Sequence, residues 1–272
     1  MNALSSLFLS HGAPTFALSR TPARAFLEGL AQQLPARPRA ILVVSAHWET
    51  AVPTVNAVSM NDTIHDFHGF PAELYRIRYP APGSPALAER VRSLLDAGGV
   101  ASDRDDARGL DHGAWVPLLL AFPEADIPVV QLSVQSGEGP QFHYRLGRLL
   151  EPLRSEGVLI LGSGSFTHDL SSFRDYWHEP EAEEPGWVTR FAEWMESALA
   201  EFRLADLIAY RRLAPDAARN HPTEEHLLPL FVALGAGGGP ARHLHASSTH
   251  GILRMDAFAF GGAAVTAGLH SF

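Results

Sequence analysis

The chain contains no cysteine. Disulfides, thiolate nucleophiles and cysteine-ligated zinc are therefore excluded. No apolar run approaches the roughly 20 residues that a bilayer-spanning helix requires. The short apolar run near the start follows no basic segment, so a secretory signal peptide is not expected. Positive charge is scarce: 21 Lys and Arg against 30 Asp and Glu give a formal net charge of -9. No basic stripe occurs, so neither nucleic acid nor an anionic membrane is an expected partner. No H-E-x-x-H is found. "GSGS" (162–165) lacks the lysine of a P-loop and the full spacing of a dinucleotide fingerprint, and it is not a G-x-S-x-G nucleophile elbow. The expectation is a cytoplasmic protein, monomeric or a small homo-oligomer.

Apolar residues, in contrast, are plentiful. They make up 46% of the 272 residues, enough for a sizeable core. Short apolar runs at 4–9, 40–45, 53–58, 129–132 and 158–161 read as strands. Between and after them, 22–34, 85–97, 114–122, 141–156 and 187–202 read as helices. A further helix is expected over 223–234, with Thr223 as its N-cap. Segments 242–246 and 255–260 read as edge strands. Such alternation predicts an α/β fold: a single-domain layered sandwich with a central, largely parallel or mixed sheet flanked by helices. Neither the Pro/Gly-rich 79–85 nor the acidic 179–185 joins two self-sufficient halves, so residues 1–272 are taken as one domain.

Histidine is the unusual count, at 14. Without cysteine, a transition-metal site must be built from histidine and carboxylate. "LFLSHGAP" (7–14), "ILVVSAHWET" (41–50) and "LILGSGSFTHDL" (159–170) each carry an apolar run into a histidine. Ligands in open α/β sheets bind outside the carboxyl ends of strands. His11, His47 and His168 thus share one topological address, although each alone has the bland reading of a loop histidine bonded to a carbonyl. "NHPTEEHLLPLF" (220–231) offers His226, placed by the expected helix in its first turn with Glu224 and Glu225. The positive end of a helix dipole disfavours the imidazolium, which leaves the neutral, metal-binding form. In "RGLDHGAW" (108–115), Asp111 either caps the next helix or supports a site at His112. "TIHDFHGFP" (63–71), with His65, Asp66 and His68, reads as a substrate-covering loop or an ordinary packed one.

Taken in order, "LSHGAP", "VVSAHW", "TIHDFHGFP", "YPAPGSP", "GLDHGAWVPL", "IPVVQLSV", "GSGSFTHDL" and "HPTEEHLLPLFVALGA" resemble the LigB-like class III extradiol ring-cleavage dioxygenases. The similarity is greatest to the bacterial 4,5-DOPA dioxygenase extradiol branch, related to plant betalain-forming enzymes, and runs from about residue 7 to 236. It implies a catechol and O2 as substrates and one divalent metal per chain, iron(II) for turnover with zinc(II) as a second occupant of purified protein. It also implies His11, His47 and His226 as metal ligands, His168 as the acid/base, and His112 and His65 at the substrate. Asp111 and Asp169 are candidates to orient a neighbouring imidazole, and Glu225 competes with His226 for the metal. The chain departs from the pattern at Ser165 and Asp169, at His68, and over "STHGILRMDAFAFGG" (248–262). These departures bear on the substrate more than on the metal. Two alternatives use the same residues: a zinc hydrolase that activates water at the three histidines, and a non-enzymatic binding protein of the Memo type.

Overall fold

The computed structural model describes residues 3–176 and 178–262. One eight-stranded mixed sheet organises them. Its strands are β1 (Ser6–Ser10), β2 (Ala40–Glu49), β3 (Thr54–Asn56), β4 (Asp103–Asp105), β5 (Val129–Val134), β6 (Val158–Gly164), β7 (Ala241–His245) and β10 (Ala257–Phe260). A separate two-stranded ribbon pairs β8 (Ser248–Thr249) with β9 (Leu253–Arg254). The sheet order is β4-β3-β5-β2-β6-β1-β10-β7. The centre is parallel, with β2 hydrogen-bonded to β5 and β6, and β6 to β1. Antiparallel pairs β3/β5, β1/β10 and β10/β7 flank it.

The central strands are apolar throughout because both faces of the sheet are covered. Leu7, Leu9, Ile41, Val43, Leu159 and Leu161 meet helix His112–Ala121 through Trp115 and Leu118. Their alternates Leu42, Val44 and Ile160 pack on the other face against Leu146, Leu150 and Val232. Those partners belong to helices Gly139–Leu150 and Leu228–Gly237. Phe8 faces the same way and joins Phe191 of helix Gly186–Ala200. No helix among the described residues is long and apolar enough to cross a membrane.

Several elements differ from expectation for local reasons. The helix expected over 22–34 breaks at Gly29 into Pro22–Glu28 and Leu30–Gln33. The one expected over 141–156 breaks before Pro152. The helix expected over 223–234 starts only at Leu228, because Pro229 lacks an N–H and is accepted only in a first turn. Thr223 is consequently not its N-cap; the Thr223 hydroxyl lies 3.0 Å from Glu225 Oε1. Segment 255–260 supplies an inner strand rather than an edge, since β10 lies between β1 and β7. β4, the β8/β9 ribbon and the helices between 204 and 220 are too short to stand out in sequence.

Candidate metal centre

β1, β2 and β6 end side by side. Ser10 pairs with Gly164, and Ser45 with Ser163, so residues 11, 47 and 163–168 collect at one edge of the sheet. The His11 N–H donates to the Gly164 carbonyl at 2.9 Å. Gly12 follows with φ +64°, a turn that a side chain would strain. β2 continues past Val44 with an irregular register, which leaves His47 within the strand's distorted end. His226 lies in the turn ahead of helix Leu228–Gly237, and its carbonyl accepts from Ser165 N at 2.9 Å. A Cβ at Gly164 would overlap that carbonyl oxygen, so the glycines of "GSGS" let the His226 turn rest on β6.

Three imidazoles converge there. His47 Nε2 is 3.0 Å from His11 Nε2 and 3.3 Å from His226 Nε2. The opposite nitrogens of His11 and His226 are hydrogen-bonded. His11 Nδ1 lies 3.0 Å from Ser163 Oγ, whose own proton goes to the Gly113 carbonyl. Ser163 must then accept, so His11 carries its proton on Nδ1 and presents a bare Nε2. His226 Nδ1 lies 2.8 Å from Glu225 Oε1, with the same consequence. His47 Nδ1 is 3.5 Å from Asp66 Oδ2.

Protonation is resisted at each of the three imidazoles. Burial, followed by the neighbouring imidazoles, holds His11 and His226 well below the ordinary histidine value. Burial and His112 lower His47 to about 4, against Asp111, Asp66 and Glu225. The bare Nε2 lone pairs of His11 and His226 both face His47 Nε2, an arrangement suited to a cation. Donors about 2.1 Å from a common metal would stand roughly 3.0–3.4 Å apart at right-angled to tetrahedral spacing, which the observed separations match. His11, His47 and His112 offer ligand atoms within 4.8 Å of one another, as do His168, Glu225 and His226, so the residues fit a divalent metal.

The sequence profile of the catalytic LigB subunit of aromatic ring-opening dioxygenase matches residues 6–256. The chain belongs to this family. It is 46% identical to 4,5-DOPA dioxygenase extradiol of Beta vulgaris, over 95% of this chain and 97% of the relative. To the protein of the same name in Escherichia coli K12 it is 42% identical, over 86% and 85%. An uncharacterized protein of Escherichia coli K12, known from a crystal structure, superposes with a TM-score of 0.78 at 35% identity, covering 95% of this chain and all of that one. As a member of this family the chain is an extradiol ring-cleaving dioxygenase, and the LigB fold brings a cluster of buried histidines together.

Around this LigB centre lies a cavity of about 290 Å³. His11, His47, His112, His168 and His226 form its floor, and Pro14, Phe67, Phe70, Leu170 and Leu253 form apolar walls. His168 follows β6, and its N–H donates to the Asn220 carbonyl at 2.8 Å. Burial, then His221, depresses its imidazole to about 3, so the ring is held neutral. His112 lies beside His47, ring centroids 3.9 Å apart. His65 is not among the cavity-lining residues; its Nε2 bonds the Ile77 carbonyl at 3.2 Å and its ring packs near Phe67, Tyr75 and Trp115.

The two aspartates expected to orient imidazoles have other partners. Fully buried Asp111 is the N-cap of helix His112–Ala121 and also accepts from Ser45, Arg108 and Gln131. Asp169 accepts from the backbone and hydroxyls of Ser171 and Ser172. Imidazoles of the site are held instead by Ser163, Glu225 and Asp66. Hydrogen bonds from His112, outweighing burial, lower the Asp66 carboxyl to about 2. Asp66 stands inside the "TIHDF" motif and Ser163 inside "GSGS", so the motifs marked the neighbourhood without marking the role. A second acidic cluster, Glu196, His243 and Asp256, is bridged by the Arg254 guanidinium rather than open to a metal.

Proposed function

We propose that the centre works with iron(II), held by His11, His47 and His226, and opens the ring of a DOPA-like catechol or a related diol with O2. The convergence of three Nε2 atoms, at 3.0 and 3.3 Å, carries the reading. Two relatives named 4,5-DOPA dioxygenase extradiol, 46% and 42% identical, motivate the choice of catechol. Bound iron(II) would supply chelation of the two catechol oxygens and passage of electron density from ring to oxygen.

The chain's own residues supply the rest. Phe67, Phe70, Leu170 and Leu253 enclose the ring and exclude water. His168, neutral on the cavity floor, takes a proton from a catechol hydroxyl and returns one as the ring opens. General acid–base transfer of this kind contributes ~10²–10⁴-fold. His112 contacts the substrate from the cavity floor beside His47. Glu225 holds Nδ1 of His226, which supports the imidazole rather than the carboxylate as the ligand.

A set of three histidines is also a catalytic zinc arrangement, whereas non-haem iron oxygenases commonly combine two histidines with a carboxylate. Zinc has no redox chemistry, so a zinc-loaded sample should take up no oxygen. The deciding experiment is anaerobic reconstitution with iron(II) or zinc(II), followed by L-DOPA or protocatechuate and O2. Oxygen uptake with a yellow ring-cleavage product is expected for iron alone. Ester or amide hydrolysis by the zinc form, with no oxygen uptake for any catechol by the iron form, would overturn the proposal.

A further inference from the structure

The Asp66 carboxylate is shared between backbone and ring of one residue. Its Oδ1 accepts from the His112 N–H at 2.9 Å, and its Oδ2 lies 2.9 Å from His112 Nδ1. The same Oδ2 is 3.5 Å from Nδ1 of His47, beyond a normal hydrogen bond, so His112 is its principal partner. An ionised carboxylate only accepts, so the proton of a neutral His112 must sit on Nδ1. Nε2 is then left as a lone pair on a ring that lines the cavity. The next residue on the loop, Phe67, is itself a cavity wall. Asp66 therefore joins the loop over the cavity to the helix that carries His112.

We propose that Asp66 is a positioning residue that locks His112 in the Nδ1–H tautomer, so that its Nε2 accepts a hydrogen bond from a hydroxyl of the bound catechol. This inference rests on the ring-opening function above, but its structural half does not depend on turnover. Asp66→Asn keeps size and shape while placing an amide N–H where a carboxylate oxygen stood. Asparagine satisfies the His112 N–H through its oxygen and offers Nδ1 a donor instead of an acceptor. His112 must then move its proton to Nε2 and present a donor to the cavity. Removing such an orienting carboxylate typically costs about 10–100-fold in activity.

The test has two arms. Long-range proton–nitrogen NMR of the metal-free protein, with histidines assigned by substitution, reads the tautomer directly. Wild type should carry the His112 proton on Nδ1 and Asp66→Asn on Nε2. At saturating iron(II), kcat on the best catechol should fall about 10–100-fold in Asp66→Asn with KM changed far less. Asp66→Glu, which restores an acceptor, should recover part of the loss. An unchanged tautomer in Asp66→Asn, or wild-type kcat in that variant, would overturn the proposal. Equal losses in the Asn and Glu variants would do the same, because they would point to loop packing alone. If wild type opens no catechol while the tautomer moves as described, the ring-opening reading fails and the positioning role stands.

Discussion

His168 lies face to face on His226, with ring centroids 3.4 Å apart and planes 13° apart. One ring presents its Nε2 to the metal position and the other stands over it, held by its backbone bond to Asn220. Stacking of this sort fits the proposed acid/base role of His168 beside a metal-bound substrate. Replacing His168 by alanine should lower kcat by ~10²–10⁴-fold. Iron content, measured by atomic absorption after gel filtration, should stay at the wild-type level. Loss of iron from that variant would mean that His168 is a ligand rather than the acid/base.

Glu225 tests the ligand assignment from the other side. Its Oε1 is bonded to Nδ1 of His226, the nitrogen turned away from His11 and His47. An orienting role predicts that Glu225→Gln, which keeps an oxygen acceptor, weakens metal affinity by no more than about 10–100-fold. His226→Ala should abolish tight binding altogether. Competition titration against a chelator gives both numbers. If the two variants lose metal to the same degree, the carboxylate is a ligand.

The positions of His11, His47 and His168 were legible because each ends an apolar run, and parallel strands deliver their ends to one edge. His226 could be found from its motif, although the helix drawn around it was wrong. Pro229 removes an N–H that a helix begun at Thr223 would need, so the histidine sits in a turn and only the next residues coil. Asp66 was not legible as a partner of His112. The two are 46 residues apart, and nothing local to either tells of a contact made by a loop folding over a helix start. Asp111 carried two readings, and capping describes the one it realises, because the helix begins at His112 and its first amides need an acceptor. Ser163 hid inside a glycine pair whose use is close packing, with no phosphate involved.

Buried neutral imidazoles away from the metal make stability depend on pH. His143 accepts from the Gln135 N–H at Nε2 and lies 2.7 Å from the Gly139 carbonyl at Nδ1, so it has no room for a second proton. Burial lowers it to about 4. An unfolded histidine takes its proton near pH 6.5. Between these values the unfolded chain binds more protons, so stability is full above about pH 6.5 and falls as pH falls towards 4. From pH 6.5 to 5 this group alone should cost about 2 kcal/mol. Urea unfolding of metal-free protein at pH 7 and 5 measures it. His143→Gln should narrow the difference between the two pH values by about that amount; a variant as acid-sensitive as wild type would mean that His143 is protonated in the fold.

Gly164 joins packing to the metal site, since β6 and the His226 turn touch there without a side chain between them. Ser165 N to His226 O at 2.9 Å and His11 N to Gly164 O at 2.9 Å both cross this contact. A methyl group at Gly164 would meet the His226 carbonyl oxygen, with Phe8 close behind it. Backbone cannot yield there as the end of a flexible side chain would, so Gly164→Ala should destabilise the fold by roughly 1–3 kcal/mol. Displacement of the turn also shifts His226 Nε2 away from His11 and His47, and metal affinity should fall together with stability. Ser165→Ala is the control: it keeps the backbone bond and removes only a hydroxyl that donates to the Thr167 carbonyl. Thermal melts with and without zinc(II) separate the two effects, because a ligand that binds only the folded state raises its stability according to its affinity. Gly164→Ala should melt lower than wild type without metal and gain less on metal addition, whereas Ser165→Ala should keep the wild-type gain. A Gly164→Ala protein with an undiminished metal-induced rise would show that the His226 turn is positioned by something other than its contact with β6.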